Sequence, residues 1–191
     1  NIEINLQDDG FALLDVVTNG QLTWEGGEGA VNLAINGPFN LENFQFNQLN
    51  TTGVVTLSEA RIGTAVLPDP LTDINSRVNF NFNQFTVEEF NADLGGGEVT
   101  ATGGLALFER TAGSPMLDIA LDDLTINLPD LYEGDVAGNI NINQSALEPE
   151  IGGEITLSEG EVILAGQESA PGTSTENTSN IAFSNLKINL G

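Results

Sequence analysis

The sequence of 191 residues contains no cysteine and no histidine, and only four lysine and arginine residues stand against 28 aspartate and glutamate residues. Disulfides, zinc sites built on Cys or His, Ser-His and Cys nucleophiles, and imidazole acid/base chemistry are therefore excluded. The formal net charge is -24, and the cations Arg61, Arg77, Arg110 and Lys187 are scattered. Nucleic acid and an anionic membrane surface are therefore unsuitable partners.

Long hydrophobic runs are also missing: no segment has about 20 consecutive apolar residues, and nothing resembles a signal peptide. Because 40% of the residues are apolar, we nevertheless expect a folded chain, and the length fits one domain. The last residues, NLKINLG, stop within an alternating pattern, which favours a fragment. We therefore predict one elongated β domain over residues 1–191, a fragment of a larger chain, with a flexible or disordered loop at 168–180, a stretch rich in Ser, Thr and Pro.

Apolar and polar residues alternate in segment after segment, as in AVNLAIN and RVNFNF. A β-strand points successive side chains to opposite faces, so each of these segments has one apolar face. The fold class predicted from this pattern is all-β. The apolar residues predicted to share this kind of face are Val31, Leu33, Ile35, Phe44, Phe46, Val78, Phe80, Phe82, Leu117, Ile119, Leu121, Ile126, Leu128, Ile140, Ile142, Ile155 and Leu157.

Glycine-rich signals separate these segments at intervals typical of all-β proteins, and they predict turns. A weak internal repeat is also present, because GVVTLSEARI at 53–62 resembles GGEITLSEGEV at 152–162. Such repetition of a strand unit is typical of solenoid-like arrays. The predicted turns are 36–38, 95–97, 103–104, 113–115, 133–135 and 152–153.

One segment follows a different period. Apolar residues fall three apart from Phe11 to Val17, which predicts a short helix near residues 9–18. Asp8 or Asp9 is predicted to cap its start, and Asn19-Gly20 to close its end.

Candidate chemistry is limited to carboxylates. Adjacent pairs such as Asp8-Asp9, Glu88-Glu89 and Asp122-Asp123 could serve a glycosidase or a lyase, but in so acidic a chain they are expected by chance and are predicted to solvate an outer face. Calcium needs only oxygen ligands, yet neither an EF-hand loop nor a glycine-aspartate nonapeptide is present. The sequence therefore predicts no enzyme, no cofactor and no dedicated metal site.

The 10 phenylalanines gather mainly in the first half of the chain. They predict either the core of a closed sandwich or an apolar surface that stays open for a hydrophobic ligand. Both arrangements give one apolar face per strand, so periodicity alone leaves the choice open.

The segments GGGEVTATGGLALF, PMLDIALDDLTINLPDLYEGDVAGNININ and SALEPEIGGEITLSEGEVILA resemble the C-terminal region of the TamB proteins of the AsmA-like superfamily. The N-terminal half is similar as well, and its Trp24 and its Pro-Leu-Thr at 70–72 look most like cyanobacterial members. Gln144 departs from the pattern, because the family usually has Gly there. The residues that carry the resemblance are Gly96, Gly97, Val99, Gly103, Leu105, Leu107, Gly134, Val136, Gly138, Ile140, Ile142, Ser145, Pro149, Ile151, Gly153, Ile155, Leu157 and Gly160.

The resemblance implies an elongated, open, taco-shaped β structure with an apolar interior groove, lined here by the alternating apolar residues named above. It further implies a periplasmic location, a parent chain anchored in the inner membrane, and an outer-membrane partner of the Omp85 barrel type. The implied role is to pass phospholipids, held by their acyl chains, between the two membranes and to support outer-membrane protein assembly. The alternative is a closed β-sandwich or solenoid that binds protein partners by edge-strand addition, as a scaffold or an adhesion module.

Overall fold

The computed structural model describes residues 1–37, 49–65, 67–108, 110, 113–129, 131–162 and 181–191, so the predicted loop at 168–180 lies outside the described residues. The described chain is nearly all β, as its alternating pattern predicts. Its elements are β1 (Ile2–Gln7), a 3-10 helix (Asp8–Ala12), α1 (Leu13–Val17), β2 (Leu22–Asn36), β3 (Asn50–Thr64), β4 (Leu71–Phe82), β5 (Gln84–Leu94), β6 (Gly97–Ala106), β7 (Leu117–Leu128), β8 (Tyr132–Gln144), β9 (Pro149–Val162) and β10 (Ala182–Leu190).

The ten strands form one sheet, and their order in the sheet is their order in the chain. Strands β1 to β9 pair antiparallel with their neighbours, whereas β10 runs parallel to β9. Within the described residues β1 and β10 each pair with one strand, so the sheet has two edges and is open. The predicted open, curved all-β sheet is therefore confirmed.

The predicted turns are correct at some glycines and wrong at others. Gly95 and Gly96 form a two-residue hairpin between paired Leu94 and Gly97, and both have positive φ, 56° and 84°, as this hairpin type requires. In contrast, 103–104, 133–135 and 152–153 lie inside β6, β8 and β9. Those three turn predictions are wrong because glycine also serves where a neighbouring backbone approaches too closely for a Cβ. At 36–38, Asn36 ends β2 and Pro38 lies outside the described residues.

One turn lacks the usual sequence signal. The segment RVNFNFNQF reads as one strand, yet Asn81 pairs with Gln84 across a hairpin turn formed by Phe82 and Asn83. Phe82 has a φ of 58°, a conformation that a bulky residue rarely adopts. Because neither Gly nor Pro marks this position, the alternation predicts a strand that is longer than the real one.

Bulges keep the apolar residues of long strands on one face. In β7 the apolar positions change from odd numbers, up to Leu121, to even numbers, from Leu124 on. The register passes from Leu121 opposite Gly138 to Leu124 opposite Val136, so β7 has one extra residue there, and Asp123 takes a φ of 49°. An extra residue in one strand is a β-bulge, which also bends the strand.

The internal repeat corresponds to matching strands, β3 and β9. Gly53 and Gly153, at the start of each copy, have φ values of 140° and 123°, and a Cβ on either would collide with a carbonyl of the neighbouring strand. Glu59 and Glu159, six residues further on, both have a φ of 48° at a shift in register. The repeat therefore encodes a strand with a glycine contact and an acidic bulge at the same spacing.

The short helix is confirmed, but its predicted cap is wrong. The 3-10 helix begins at Asp8 and its cap residue Gln7 makes no side-chain cap hydrogen bond. Asp8 instead accepts a hydrogen bond from the Gly29 N–H of β2 at 3.1 Å. The end is as predicted, since Asn19 and Gly20 have φ values of 52° and 78°.

Candidate functional site: the inner face of the sheet

Strand register places the predicted apolar residues on one face, which we call the inner face. Leu33 lies opposite Gly53, and Gly53 lies opposite Phe80. Phe80 lies opposite Phe85, with ring centroids 5.9 Å apart, and Phe85 lies opposite Leu105. Because directly opposed residues of paired strands share a face, this row is apolar across five strands, apart from the glycine.

A second row crosses nine strands. It begins at Leu6 of β1, which lies opposite Val31, and it ends at Ile151 of β9. Every member is an aliphatic residue or glycine, so no polar side chain interrupts the row. Its members are Leu6, Val31, Val55, Val78, Val87, Gly103, Leu117, Ile142 and Ile151.

Strands β7 to β10 continue the same face. Ile119 lies opposite Ile140, and Ile155 lies opposite Ile188 of β10. The predicted residues that the structure describes thus share the inner face, whereas Phe44 and Phe46 lie outside the described residues. The residues placed on the inner face are Val31, Leu33, Ile35, Val78, Phe80, Phe82, Leu117, Ile119, Leu121, Ile126, Leu128, Ile140, Ile142, Ile155 and Leu157.

Burial is uneven over this face. Ala60, Ile74 and Leu124 are 0–2% exposed and belong to two small clusters near the bulges. Phe80, by contrast, is only partly buried, and Phe82 is 58% exposed. The inner face therefore combines a packed region with an apolar stretch that protein atoms cover only in part.

The packed region is fixed by a tyrosine. Tyr132 is 7% exposed, and its hydroxyl donates to the Asp135 carbonyl at 2.7 Å or to the Ser158 carbonyl at 3.2 Å. The hydroxyl is thus satisfied although the ring is buried, as such groups require. The bond to Ser158 links β8 to β9 within the packed region.

Several inner-face residues were missed by sequence reasoning. Val54 and Val55 are both apolar, so alternation does not show which of them faces inward. Val99, Leu105 and Val136 carry the family resemblance but fall in stretches rich in glycine, where the alternating pattern is weak. Only the register identifies the missed members of the face, which include Ile4, Leu6, Val55, Phe85, Val87, Leu94, Val99, Leu105 and Val136.

The opposite, outer face is polar. Asn32 of β2 and Asn79 of β4 lie on this face, on either side of Val54 of β3. Arg77 forms an ion pair with Glu88, with 2.8 Å between the guanidinium Nε and the carboxylate Oε2. Both side chains are about half exposed, so this ion pair adds at most about 1 kcal/mol to the free energy of unfolding. The outer face therefore serves mainly to keep the sheet hydrated.

The carboxylate of Glu150 lacks the electrostatic environment of a general acid. The pKa of Glu150 is lowered by a hydrogen bond from Gln144 and then by one from Ser184, whereas a general acid at neutral pH needs a raised pKa. Among the described residues, no three Asp or Glu side chains come close enough together to hold a metal ion. In the same part of the chain, no helix has the length and apolar character needed to cross a membrane.

Comparison with known proteins places this face in a family context. A family model described as the TamB C-terminal domain matches residues 88–188, which is more than half of the chain and runs from β5 into β10. No curated protein and no solved structure gave a match to the chain.

Proposed function

Because this chain belongs to the TamB family, we propose that its inner face is a segment of a hydrophobic groove that conducts phospholipids between the inner and outer membranes. In this proposal the groove lies in the periplasm, its parent chain is anchored in the inner membrane, and an Omp85-type barrel receives the lipid in the outer membrane. The same bridge supports outer-membrane protein assembly. The proposal includes the assignment to the cyanobacterial members of the family.

The observation that carries the proposal is the apolar row that crosses nine strands without a polar side chain. Acyl chains would bind there by burial of hydrocarbon, worth about 0.8 kcal/mol per CH₂. Such binding is not directional, so a chain can move along the face without breaking specific bonds. The polar head groups would stay in water at the open side of the sheet.

The proposed role is non-catalytic. The described inner face offers hydrocarbon side chains with few hydroxyls, such as those of the buried Thr51 and Ser76. The sequence lacks the histidine and cysteine that commonly act as bases and nucleophiles. A surface of this kind lowers the free energy of an apolar guest without changing its covalent bonds.

Native mass spectrometry of the purified chain, with matched substitutions on the two faces, tests the groove. We expect Phe80→Arg and Ile119→Asp to abolish the phospholipid adducts, because a charge on the inner face must be desolvated when an acyl chain binds. Asn79→Arg and Ala120→Asp introduce the same charges one residue away on the outer face, and they should leave the adducts unchanged.

Folding of each variant is monitored by circular dichroism. If the two inner-face variants unfold, the face is a sealed core and the groove is wrong. The proposal also fails if the inner-face variants keep as much lipid as their outer-face controls.

The edge of the sheet favours a second candidate function, the addition of a β-strand from a protein partner. Phe183 and Leu190 of β10 are 69% and 74% exposed, and β10 pairs with β9 alone among the described strands. An exposed apolar edge strand is a template for pairing with another chain. Both functions can operate on one molecule, because one uses the face and the other uses the edge.

A further inference from the structure

The segment between β1 and β2 folds over the inner face. Phe11 in the 3-10 helix is 5% exposed, and its ring stacks on Trp24 of β2 with centroids 4.7 Å apart. Trp24 itself packs against the buried cluster of Ala60, Ile74 and Ala92. An aromatic side chain from outside the sheet therefore covers the apolar face at this end.

The sheet has room for this ring because of a glycine. Gly29 lies opposite Leu57 on the inner face, and a Cβ at Gly29 would lie 2.6 Å from Cε2 of Phe11. The Phe11 ring thus rests on the backbone of β2, in the space that a side chain occupies elsewhere on this face.

Besides this aromatic pair, hydrogen bonds with β2 anchor the segment at both ends. Asp8 accepts one hydrogen bond from Gly29, and Thr18 accepts one from the Leu22 N–H at 3.0 Å. The pairs between β1 and β2 end at Gln7 opposite Ala30. Withdrawal of the segment therefore breaks no pair of the sheet.

We propose that Asp8–Val17 is an intramolecular plug of the inner-face groove, in which Phe11 takes the place of a hydrocarbon guest beside Trp24. The inference rests on the proposed function, because it assumes that acyl chains bind this face. The plug and an acyl chain compete for one site, so a chain enters only in the fraction of molecules whose plug is withdrawn. The apparent affinity for the acyl chain is therefore the intrinsic affinity multiplied by that fraction.

Trp24 is the only tryptophan of the chain, so its fluorescence reports on this site. The probe is dibromostearate, used below its micelle concentration, because bromine on an acyl chain quenches a tryptophan that it touches. If the plug is withdrawn about one-tenth of the time, its removal lowers the half-quenching concentration about tenfold.

Two variants withdraw the ring in different ways. Phe11→Ala removes it, whereas Gly29→Ala displaces it with a Cβ and leaves Phe11 in the chain. Leu13→Ala is the control, because Leu13 belongs to the same segment but is 51% exposed. We expect about tenfold tighter quenching for the first two variants and no change for the control. Circular dichroism verifies that each variant is folded, and Gly29→Ala remains informative if Phe11→Ala does not fold.

A second reporter separates the plug from the groove. In the variant Trp24→Phe with Phe80→Trp, the tryptophan lies on the part of the face that Phe11 does not cover. If dibromostearate quenches this tryptophan, but neither Phe11→Ala nor Gly29→Ala makes the quenching of Trp24 tighter, the plug is overturned and the groove stands. No quenching at either tryptophan overturns both proposals, and tighter quenching in Leu13→Ala overturns a specific role for Phe11.

Discussion

Ile74, Leu124 and Phe82 are all apolar and lie on the same face, yet their burial differs widely. Ile74 and Leu124 are 2% and 1% exposed, and Phe82 is 58% exposed. A buried side chain stabilises the fold through the area it removes from water and through its packing contacts, both of which an exposed one largely lacks. Stability and guest binding should therefore depend on different residues of one surface.

Alanine substitutions should reveal this division. We expect Ile74→Ala and Leu124→Ala to lower the free energy of unfolding by about 2–5 kcal/mol each, and Phe82→Ala to lower it by less than about 1 kcal/mol. Urea unfolding followed by circular dichroism measures all three. Equal losses at the three positions would mean that the inner face is a uniform core.

The bulges determine which way the far half of each strand faces. In β7 the apolar residues have odd numbers before Asp122-Asp123 and even numbers after it. The extra residue there lets both sets point to the same side of the sheet. A strand without the extra residue would turn one of the series to the outer face, because side chains alternate with a period of two. The adjacent acids, which resemble a catalytic pair in the sequence, thus have a structural role.

Deletion of Asp123 tests this role. The deletion should turn Leu124, Ile126 and Leu128 to the outer face or force the strand to re-pair, at a cost of about 1.5–3 kcal/mol for each side chain that loses its burial. Asp123→Gly is the matched control, since it keeps the number of residues and glycine readily adopts the φ of 49° found there. Urea unfolding should show a large loss of stability for the deletion and none for the glycine variant. Equal stability of the two variants would show that the bulge does not determine which way these side chains face.

Sequence reasoning succeeded where a strand has one clear apolar face and failed where local signals have two meanings. Alternation places Phe80 on the apolar face because Asn79 and Asn81 flank it, and the register puts it there as well. Glycine marks both turns and close strand contacts, so Gly95 and Gly103 look alike in the sequence although only the first lies in a turn. The sequence does not reveal the plug, because the spacing of apolar residues from Phe11 to Val17 predicts a helix but not the face of the sheet on which that helix packs.

The whole molecule combines open edges with a strongly acidic composition. The net charge of -24 makes two copies repel each other at low ionic strength. Salt shortens the Debye length from about 10 Å at 0.1 M to about 3 Å at 1 M. The charge should thus protect a sheet whose edge strand β10 exposes Phe183 and Leu190.

Sedimentation velocity in increasing salt measures this protection. We expect the sedimentation coefficient to rise between 0.1 M and 1 M salt as edges begin to pair, because repulsion is screened. The double variant Phe183→Lys with Leu190→Lys should stay at its low-salt value. Salt-independent sedimentation of the parent chain would show that the β10 edge is not available, which would also weaken the proposal of strand addition.

The simple order of the sheet also has a mechanical consequence. Each strand from β2 to β9 pairs with the strands before and after it in the chain, and the edge strands β1 and β10 pair with one strand each. Tension applied at the two termini therefore acts first on the outermost ladders. An edge strand pulled from its end loses its hydrogen bonds one after another, and each bond is individually weak. The chain therefore lengthens strand by strand at low force, and the part of the sheet that is not yet peeled keeps its pairing and its apolar face.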